Sequence, residues 1–253
     1  VLRSSAAPVA SVPSPDSARL WLSGTWGTAF DQALGAWDRL ATQPASAQPG
    51  PVAAANAARL TKNVADRLAP YMTPDDGAPV AQLVPRVAYP KGDFGDGLST
   101  LAGMLDLPLG IRVAAIDAPS DFDTHDNQAE ELAAGLTEVS EGLAAFQADL
   151  EARGLADRVL TFVWSEFGRR PESNDSAGTD HGAGGVAWVQ GTRAAPGILT
   201  DYPDVRRLDR QGNLAVTVDF RRVYASLLEQ WLGTDAAEVI PNAAAFGRVG
   251  LVR

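Results

Sequence analysis

The chain has 253 residues, is 45% hydrophobic and carries a formal net charge of −10. Its length allows one large domain or two small ones, and its acidity argues against nucleic acid and anionic membrane surfaces as partners, because both require basic patches. The absence of cysteine excludes disulfides and thiolate metal sites. No run of about 18 apolar residues predicts a membrane span.

The first part of the chain is predicted to be helical, with proline-rich loops. A lead-in from Val1 to Asp16 has little periodicity and is expected to be irregular or extended. Apolar residues at helical spacing predict an amphipathic helix from Ala29 to Ala41, and an alanine-rich helix is expected from Val52 to Leu68. The composition of the segment from Thr42 to Pro51 is typical of a linker. We find no motif with a chemical interpretation in the first hundred residues.

The second part of the chain has the pattern of a βαβ unit. The apolar run Gly110–Ile116 is expected to be a buried strand and Arg158–Trp164 a second one, with a helix between them that ends at Gly154. The helix has one apolar face, whose residues alternate spacings of four and three: Leu132, Leu136, Val139, Leu143, Phe146 and Leu150. Because such crossovers imply parallel strands, we expect a mostly parallel sheet flanked by helices.

Two further elements complete this prediction. Gly185–Gln190 is a candidate third strand, and Phe220–Trp231 is a candidate amphipathic helix with Gly233 just after its end. We interpret residues 1–253 as a single α/β domain, in which residues 1–100 are helical and loop-rich and residues 110–253 carry the motifs.

Polar side chains are concentrated in the two loops that follow the predicted strands. They are Asp121, Asp123, His125 and Asp126 in the first loop, and Ser165, Glu166, Arg169, Arg170, Asn174, Asp175, Asp180 and His181 in the second. Ligands of parallel α/β sheets bind outside the carboxyl ends of the strands. The two histidines of the chain are therefore expected to face one crevice, each within two residues of an aspartate.

Imidazole and carboxylate groups without a thiol suit Zn²⁺, Mn²⁺, Mg²⁺ or Ca²⁺. The alternative is that His125 and His181 only cap helices or bind loop carbonyls. For Glu166 three roles stay open: metal ligand, partner of a ligating histidine, or ion-pair partner of Arg169 or Arg170. Arg169 is a candidate clamp for a phosphate or sulfate, since its guanidinium offers a planar fork of donors.

Two other polar residues of the second loop have simpler interpretations. Asn174 is expected to bond to the loop backbone rather than to a ligand. Ser165 follows a strand, as the serine of a nucleophile elbow does, but Val163 and Phe167 stand where that motif requires glycine. A serine hydrolase that uses Ser165 and His181 stays a third option.

With these residues identified, the second part of the chain resembles the DUF1501 family, a group placed near the alkaline phosphatase and sulfatase superfamily. The matching stretches are FDTHDNQ (122–128), SEFGRRPESN (165–174), GTDHG (178–182) and DFRRVYASLLEQWLG (219–233). The family often has Trp where this chain has Phe122, and before Gly110 the likeness is loose. The resemblance implies an alkaline-phosphatase-like α/β sandwich. It also implies that one metal is bound by an early Asp and His and the other mainly by a later Asp-His pair.

The resemblance carries an expectation about completeness and location. Family members usually begin with a twin-arginine export signal, and the superfamily's nucleophile and first metal-binding acid come from the front half. Neither is recognisable here, so we expect the chain to correspond to the C-terminal part of a family member. A location outside the cytoplasm, periplasmic or secreted, is implied by the family alone.

The leading prediction is a metal-dependent hydrolase of phosphate or sulfate esters, or the C-terminal portion of one, acting on a small anionic ester. The predicted metal ligands are Asp123, His125, Asp180 and His181. Glu166 is predicted to be a ligand or a base beside the ligands, and Arg169 an anion clamp. The alternative is a secreted, non-catalytic binding or assembly domain in which a metal is structural or absent.

Overall fold

The structure, a computed structural model, describes residues 12–18, 26–42 and 49–253. The chain divides into two compact units, Val1–Asp117 and Ala118–Arg253. Within the described ranges, no helix is both long enough and apolar enough to cross a membrane.

The described part of the first unit contains three α-helices, α1 (Thr28–Thr42), α2 (Pro49–Leu68) and α3 (Asp93–Leu105). The guanidinium of Arg59 on α2 donates to the carbonyl of Ala41 at the end of α1, with a distance of 3.0 Å between Nε and the oxygen. Both predicted helices of this part are confirmed, whereas the sequence patterns did not indicate α3.

Parts of two predictions fall on residues that the structure does not describe. Of the lead-in, residues 1–11 lie outside the described residues, and Pro15–Ala18 form a short 3-10 helix. Of the linker, residues 43–48 lie outside them, and α2 already begins at Pro49. The described ends of this linker are therefore helical.

The second unit contains α4 (Gln128–Ala152), four short strands and α5 (Phe220–Leu227). The strands are β1 (Thr161–Val163), β2 (Gly168–Ser173), β3 (Thr179–Gly182) and β4 (Trp188–Gln190). They form two antiparallel sheets of two strands, with β1 beside β4 and β2 beside β3. The predicted fold class is therefore wrong: the described residues form mixed helices and small antiparallel sheets, not a mostly parallel alkaline-phosphatase-like sandwich.

The apolar run Gly110–Ile116, predicted to be the first strand of the parallel sheet, forms no strand. Its side chains are largely exposed, including Val113 at 56% and Ile116 at 39%. A strand needs a neighbour for its backbone hydrogen bonds, and an apolar run cannot reveal whether such a neighbour exists. Without this strand there is no βαβ crossover, and β1 pairs antiparallel with β4 instead. The second and third predicted strands are confirmed only over these shorter spans.

The long helix α4 is confirmed, and it supplies much of the core of the second unit. Val139, Leu143, Phe146 and Leu150 are buried, as its apolar face predicts. At its end Gly154 adopts a φ of +70°, a left-handed conformation that glycine reaches at little cost. Earlier along the same face Leu136 stays 43% exposed, so the apolar face is buried mainly in the C-terminal half of the helix.

The predicted helix Phe220–Trp231 is confirmed in two pieces. Helix α5 ends at Leu227 and continues as a π-helical turn, Leu228–Leu232. Gly233 follows with a φ of +67°, as its predicted position after the helix requires. The helix packs with a small buried cluster that ties the C-terminal segment together: Ala225, Ala236, Ile240 and Ala243.

Asp219 caps the N-terminus of α5, and its removal should destabilise this helix. Its carboxylate accepts from the backbone N–H of Arg221 at 2.9 Å and from the Arg221 guanidinium at 2.6 Å. We expect Asp219→Ala to lower the free energy of unfolding by about 1 kcal/mol, measured by urea denaturation. Asp219→Asn retains a capping oxygen and serves as the control, so an equal loss in both variants would contradict the capping role.

The effect of Asp219→Ala should also depend on pH. The side-chain hydrogen bond from Arg221, followed by the bond from its backbone, lowers the pKa of Asp219 from an ordinary 3.8 to about 2. A carboxyl whose pKa is lowered by folding stabilises the folded state above its ordinary pKa, and this contribution is lost as the pH falls towards the lowered value. The difference between wild type and variant should therefore be complete above about pH 5 and shrink below it.

Candidate metal centre

The hairpin of β2 and β3 carries the polar residues of the second predicted loop. In its register Arg169 lies opposite His181 and Gly168 lies opposite Gly182. Both glycines lie close to neighbouring backbone: a Cβ on Gly168 would overlap the carbonyl of Gly184, and a Cβ on Gly182 would overlap the backbone of Arg169. Residues directly opposite each other in an antiparallel pair share one face, so Arg169 and His181 project to the same side.

The turn of this hairpin is hydrogen-bonded to the loop that contains His125. The side-chain amide of Asn174 donates to the carbonyl of His125 at 2.7 Å. Its oxygen accepts from the backbone N–H groups of Ser176 at 3.0 Å and Gly178 at 2.9 Å. The prediction that Asn174 bonds to loop backbone is confirmed, and the bond fixes the position of His125.

Gln128 forms a second connection between the same two segments. Its backbone N–H donates to the carbonyl of Ala177 at 3.1 Å. Its side chain donates to the buried hydroxyl of Thr124 at 3.0 Å and accepts from the hydroxyl of Thr179 at 3.1 Å. The loop before α4 and the β2–β3 hairpin are thus held together by backbone and side-chain bonds on either side of His125.

These connections bring Asp123, His125 and His181 into one cluster, whose ligand atoms all lie within 4.8 Å of one another. Oδ1 of Asp123 lies 2.6 Å from Nε2 of His181 and 3.0 Å from Nε2 of His125. The two Nε2 atoms are 3.1 Å apart. Three potential ligand atoms, two nitrogens and one oxygen, therefore form a compact triangle.

Protons alone cannot satisfy all three edges of this triangle. Each imidazole nitrogen carries at most one proton, so each proton serves one edge. If both nitrogens donate to Asp123, the two N–H groups of His125 and His181 face each other at 3.1 Å. A cation resolves this conflict, because it accepts the lone pairs of all three atoms at once. Two ligand atoms at bond lengths of about 2.0–2.1 Å from a tetrahedral ion would lie roughly 3.3 Å apart. The edges of 3.0 and 3.1 Å are near this value, and the edge of 2.6 Å between Asp123 and His181 is shorter.

The charge state of Asp123 also suits a metal ligand. The side-chain hydrogen bond with His181 lowers the pKa of Asp123 below its ordinary value, against the raising effect of partial desolvation. The charges of His125 and Arg169 act in the same lowering direction. A carboxyl with a lowered pKa is ionised at neutral pH and offers its oxygen lone pairs to a cation.

Arg169 supports this cluster from one side. Its guanidinium donates to the carbonyl of Thr179 at 2.6 Å, to the carbonyl of Phe122 at 2.7 Å and to Oδ1 of Asp123 at 3.2 Å. Its side chain is only 20% exposed. The arginine therefore connects the hairpin to the Asp123 loop, and its role as an anion clamp stays a prediction.

The other predicted site residues lie outside the triangle. Oδ1 of Asp180 is 3.6 Å from Nδ1 of His125, on the other side of that ring. Neighbouring residues of a strand project to opposite faces, which explains why Asp180 and His181 do not reach the triangle together. Glu166 and Ser165 are exposed, and neither side chain makes a hydrogen bond or ion pair with another described residue. Roles for all three stay predictions.

Two residues at the site had no role in the sequence interpretation. The ring of Phe167 stacks on the imidazole of His181, with centroids 3.9 Å apart and planes at 17°. Gly178 lies against the backbone of His125, where a Cβ would overlap the carbonyl group. Phe167 could have been found from the sequence, because it is two residues from Arg169 and such residues project to the same side of an extended chain. Gly178 is identified only by its contact in the folded structure.

A comparison with known protein families gives one match. The family described as "Protein of unknown function (DUF1501)" matches residues 32–242, which is most of the chain. The match begins well before Gly110, where the motifs that carry the resemblance start. No curated protein and no solved structure matches the chain. Kinship with the alkaline phosphatase and sulfatase superfamily is therefore supported only by the resemblance and stays a prediction.

Proposed function

This chain belongs to the DUF1501 family, and from the geometry of its site we propose that it is a metal-dependent hydrolase of phosphate or sulfate esters. The observation that carries the proposal is the triangle of Asp123, His125 and His181, in which three ligand atoms converge at distances of 2.6–3.1 Å. Two imidazoles and one carboxylate are a donor set used by hydrolytic zinc enzymes.

The residues present assign the ligands and their supports. Asp123, His125 and His181 would hold the cation, and two nitrogen donors favour Zn²⁺ over Mn²⁺, Mg²⁺ and Ca²⁺, which are better suited to oxygen ligands. When bound, a divalent cation activates water and stabilises negative charge that develops on the transferred group. Asn174 holds His125 in place by donating to the backbone carbonyl of His125. Arg169 holds Asp123 in place by donating to its carboxylate.

The exposure of the three ligands supports a catalytic rather than a closed structural site. Their side chains are 44% exposed for Asp123, 47% for His125 and 49% for His181. Structural zinc sites are usually closed by four protein ligands, whereas catalytic sites keep a position open for water or substrate. Three ligands at an accessible surface leave such a position free.

Three residues beside the triangle have proposed roles. Asp180 lies near the second ring nitrogen of His125, where a carboxylate would orient the ring and increase its basicity. Glu166 is exposed near the start of the same hairpin and is our candidate base. Arg169 would attract the anionic ester while it holds Asp123. An extracytoplasmic location, by twin-arginine export, remains part of the proposal and is supported by the family resemblance alone.

A second candidate function is a non-catalytic binding or assembly domain with a structural metal. The observation that favours it is the charge around the triangle, where Asp121, Asp126, Asp180 and Glu166 are exposed acids. Like charges repel an anionic substrate, and acidic groups around a cation are also typical of simple cation binding.

Turnover of a generic monoester separates the two candidates. We expect the purified protein with Zn²⁺ or Mn²⁺ to hydrolyse p-nitrophenyl phosphate or p-nitrophenyl sulfate. The activity should be lost after chelation, return when the metal is restored, and survive in Ser165→Ala. Metal binding without turnover would favour the binding domain. Activity that resists chelation but is lost in Ser165→Ala would instead indicate a serine hydrolase.

A further inference from the structure

Phe167 covers one face of the His181 imidazole. The two rings are nearly parallel, at 17°, and their centroids are 3.9 Å apart. Phe167 is partly buried, whereas the side chain of His181 is 49% exposed. We propose that Phe167 is a positioning residue, which fixes the imidazole of His181 so that Nε2 points at Asp123. The relevance of this orientation to a cation rests on the proposed function.

The strand geometry explains how Phe167 reaches this position. It precedes Arg169 by two residues, and residues two apart on an extended chain project to the same side. Arg169 lies directly opposite His181 in the β2–β3 register, so Phe167 is a diagonal neighbour of that histidine. Gly168 between them lies against the backbone of Gly184, where a Cβ would overlap the carbonyl.

The hydrogen bonds of the site leave the orientation of the His181 ring underdetermined. The described hydrogen bonds of its side chain are made by Nε2, which faces both Asp123 and His125. An imidazole held at one atom can rotate about that contact, since terminal ring torsions are broad. A flat aromatic surface against one face removes this freedom, and it also favours the partial positive charge that an imidazole acquires on binding a cation.

Arg169 holds Phe167 in turn. Its guanidinium carbon lies 5.1 Å from the centroid of the Phe167 ring, within the range of a cation–π contact. The same guanidinium donates to Asp123, so one arginine contacts both the carboxylate ligand and the ring that covers the histidine ligand. Arg169 and His181 therefore both contact the Phe167 ring, and Arg169 also contacts Asp123.

Removal of the Phe167 ring should weaken metal binding without unfolding the protein. We expect Phe167→Leu to raise the Kd for Zn²⁺ about 10-fold or more in isothermal titration, because residues that orient metal ligands typically contribute 10–100-fold. It should also change the visible spectrum of the Co²⁺ form, while Phe167→Tyr keeps the affinity and spectrum of the wild type. Phe162→Leu is the matched control, since Phe162 packs edge-on against Tyr224 and does not contact the site.

A measurement that needs no metal tests the same orientation. The chain has two histidines, so the imidazole protons give two resolvable sets of NMR signals, which His125→Ala assigns. In the wild type the His181 signals should show an upfield ring-current shift and contacts to Phe167 protons, and both should vanish in Phe167→Leu. Their absence in the wild type, or Zn²⁺ binding by Phe167→Leu at wild-type affinity, would overturn the inference. If the wild type binds no Zn²⁺, the proposed function fails and the NMR comparison alone decides on Phe167.

Discussion

Replacement of Asp123 with alanine is expected to weaken Zn²⁺ binding by more than about 100-fold, because loss of a ligand should exceed the 10–100-fold cost of losing a residue that only orients one. Oδ1 of Asp123 contacts both histidines, at 2.6 Å from Nε2 of His181 and 3.0 Å from Nε2 of His125. Without it, only the two imidazoles of the triangle remain as ligands, and no directly bound carboxylate offsets the charge of the cation. Isothermal titration of metal-free protein measures the change.

The control for this prediction is a carboxylate of the β2–β3 hairpin that lies outside the triangle. Glu172 is exposed in β2, and Glu172→Ala removes the same unit of charge. If Asp123 acts as a ligand, Glu172→Ala should change the affinity only slightly, as expected for a screened surface charge. Similar losses in both variants would mean that general electrostatic attraction, and not coordination, binds the metal.

Gly178→Ala is expected to lower the free energy of unfolding by about 3 kcal/mol, with a parallel loss of metal binding. A Cβ at this position would overlap the carbonyl of His125 and lie 2.6 Å from the backbone nitrogen of Asp126. The backbones cannot easily separate, because Asn174 binds both Gly178 and His125. The variant must therefore break the Asn174 hydrogen bonds that position His125.

Gly250→Ala is the matched control, since a Cβ there would meet no heavy atom within 4 Å. Its free energy of unfolding should stay within about 0.5 kcal/mol of the wild type. Urea denaturation and Zn²⁺ titration on both variants test the prediction together. A Gly178→Ala protein as stable as the control, with unchanged affinity, would show that the close approach at His125 does not constrain the site.

The sequence was informative where a signal was local. Helix α4 was predicted from apolar residues that repeat at helical spacing, and its end was predicted from Gly154. The same reasoning identified the helix at Phe220 and the glycine that follows it. Apolar periodicity marks the face that a helix buries, and a glycine after the helix acts on its last turn, so both signals lie within one short segment of the chain.

The sheets could not be predicted in this way, because strand pairing is decided between distant segments. Thr161–Val163 has the composition of a buried strand in either orientation, and only its partner, Trp188–Gln190, makes it antiparallel. The apolar run at 110–116 has a similar composition and forms no strand with the described residues. Residue patterns do not encode this difference, since strand propensity reflects the neighbours that a strand acquires.

Three of the four predicted ligands lie together, but not for the reason that the sequence suggested. The convergence of His125 and His181 was expected from the carboxyl ends of parallel strands, and it arises from a hairpin clipped to a loop. Asp123 joins them as expected, whereas Asp180 projects from the neighbouring position of β3 and approaches the other side of the His125 ring. The types of polar residue indicated which metals the site could bind. The hydrogen bonds of Asn174 help to determine which of these residues lie together.

X-ray absorption at the zinc edge of the Zn²⁺-loaded wild-type protein would examine the ligands themselves. We predict one ion per chain with two imidazole nitrogens and a carboxylate oxygen at about 2.0–2.2 Å. Further oxygen ligands should complete the coordination shell. A spectrum without imidazole scattering, from a shell of oxygens alone, would show that His125 and His181 do not bind the metal and would contradict the proposed centre.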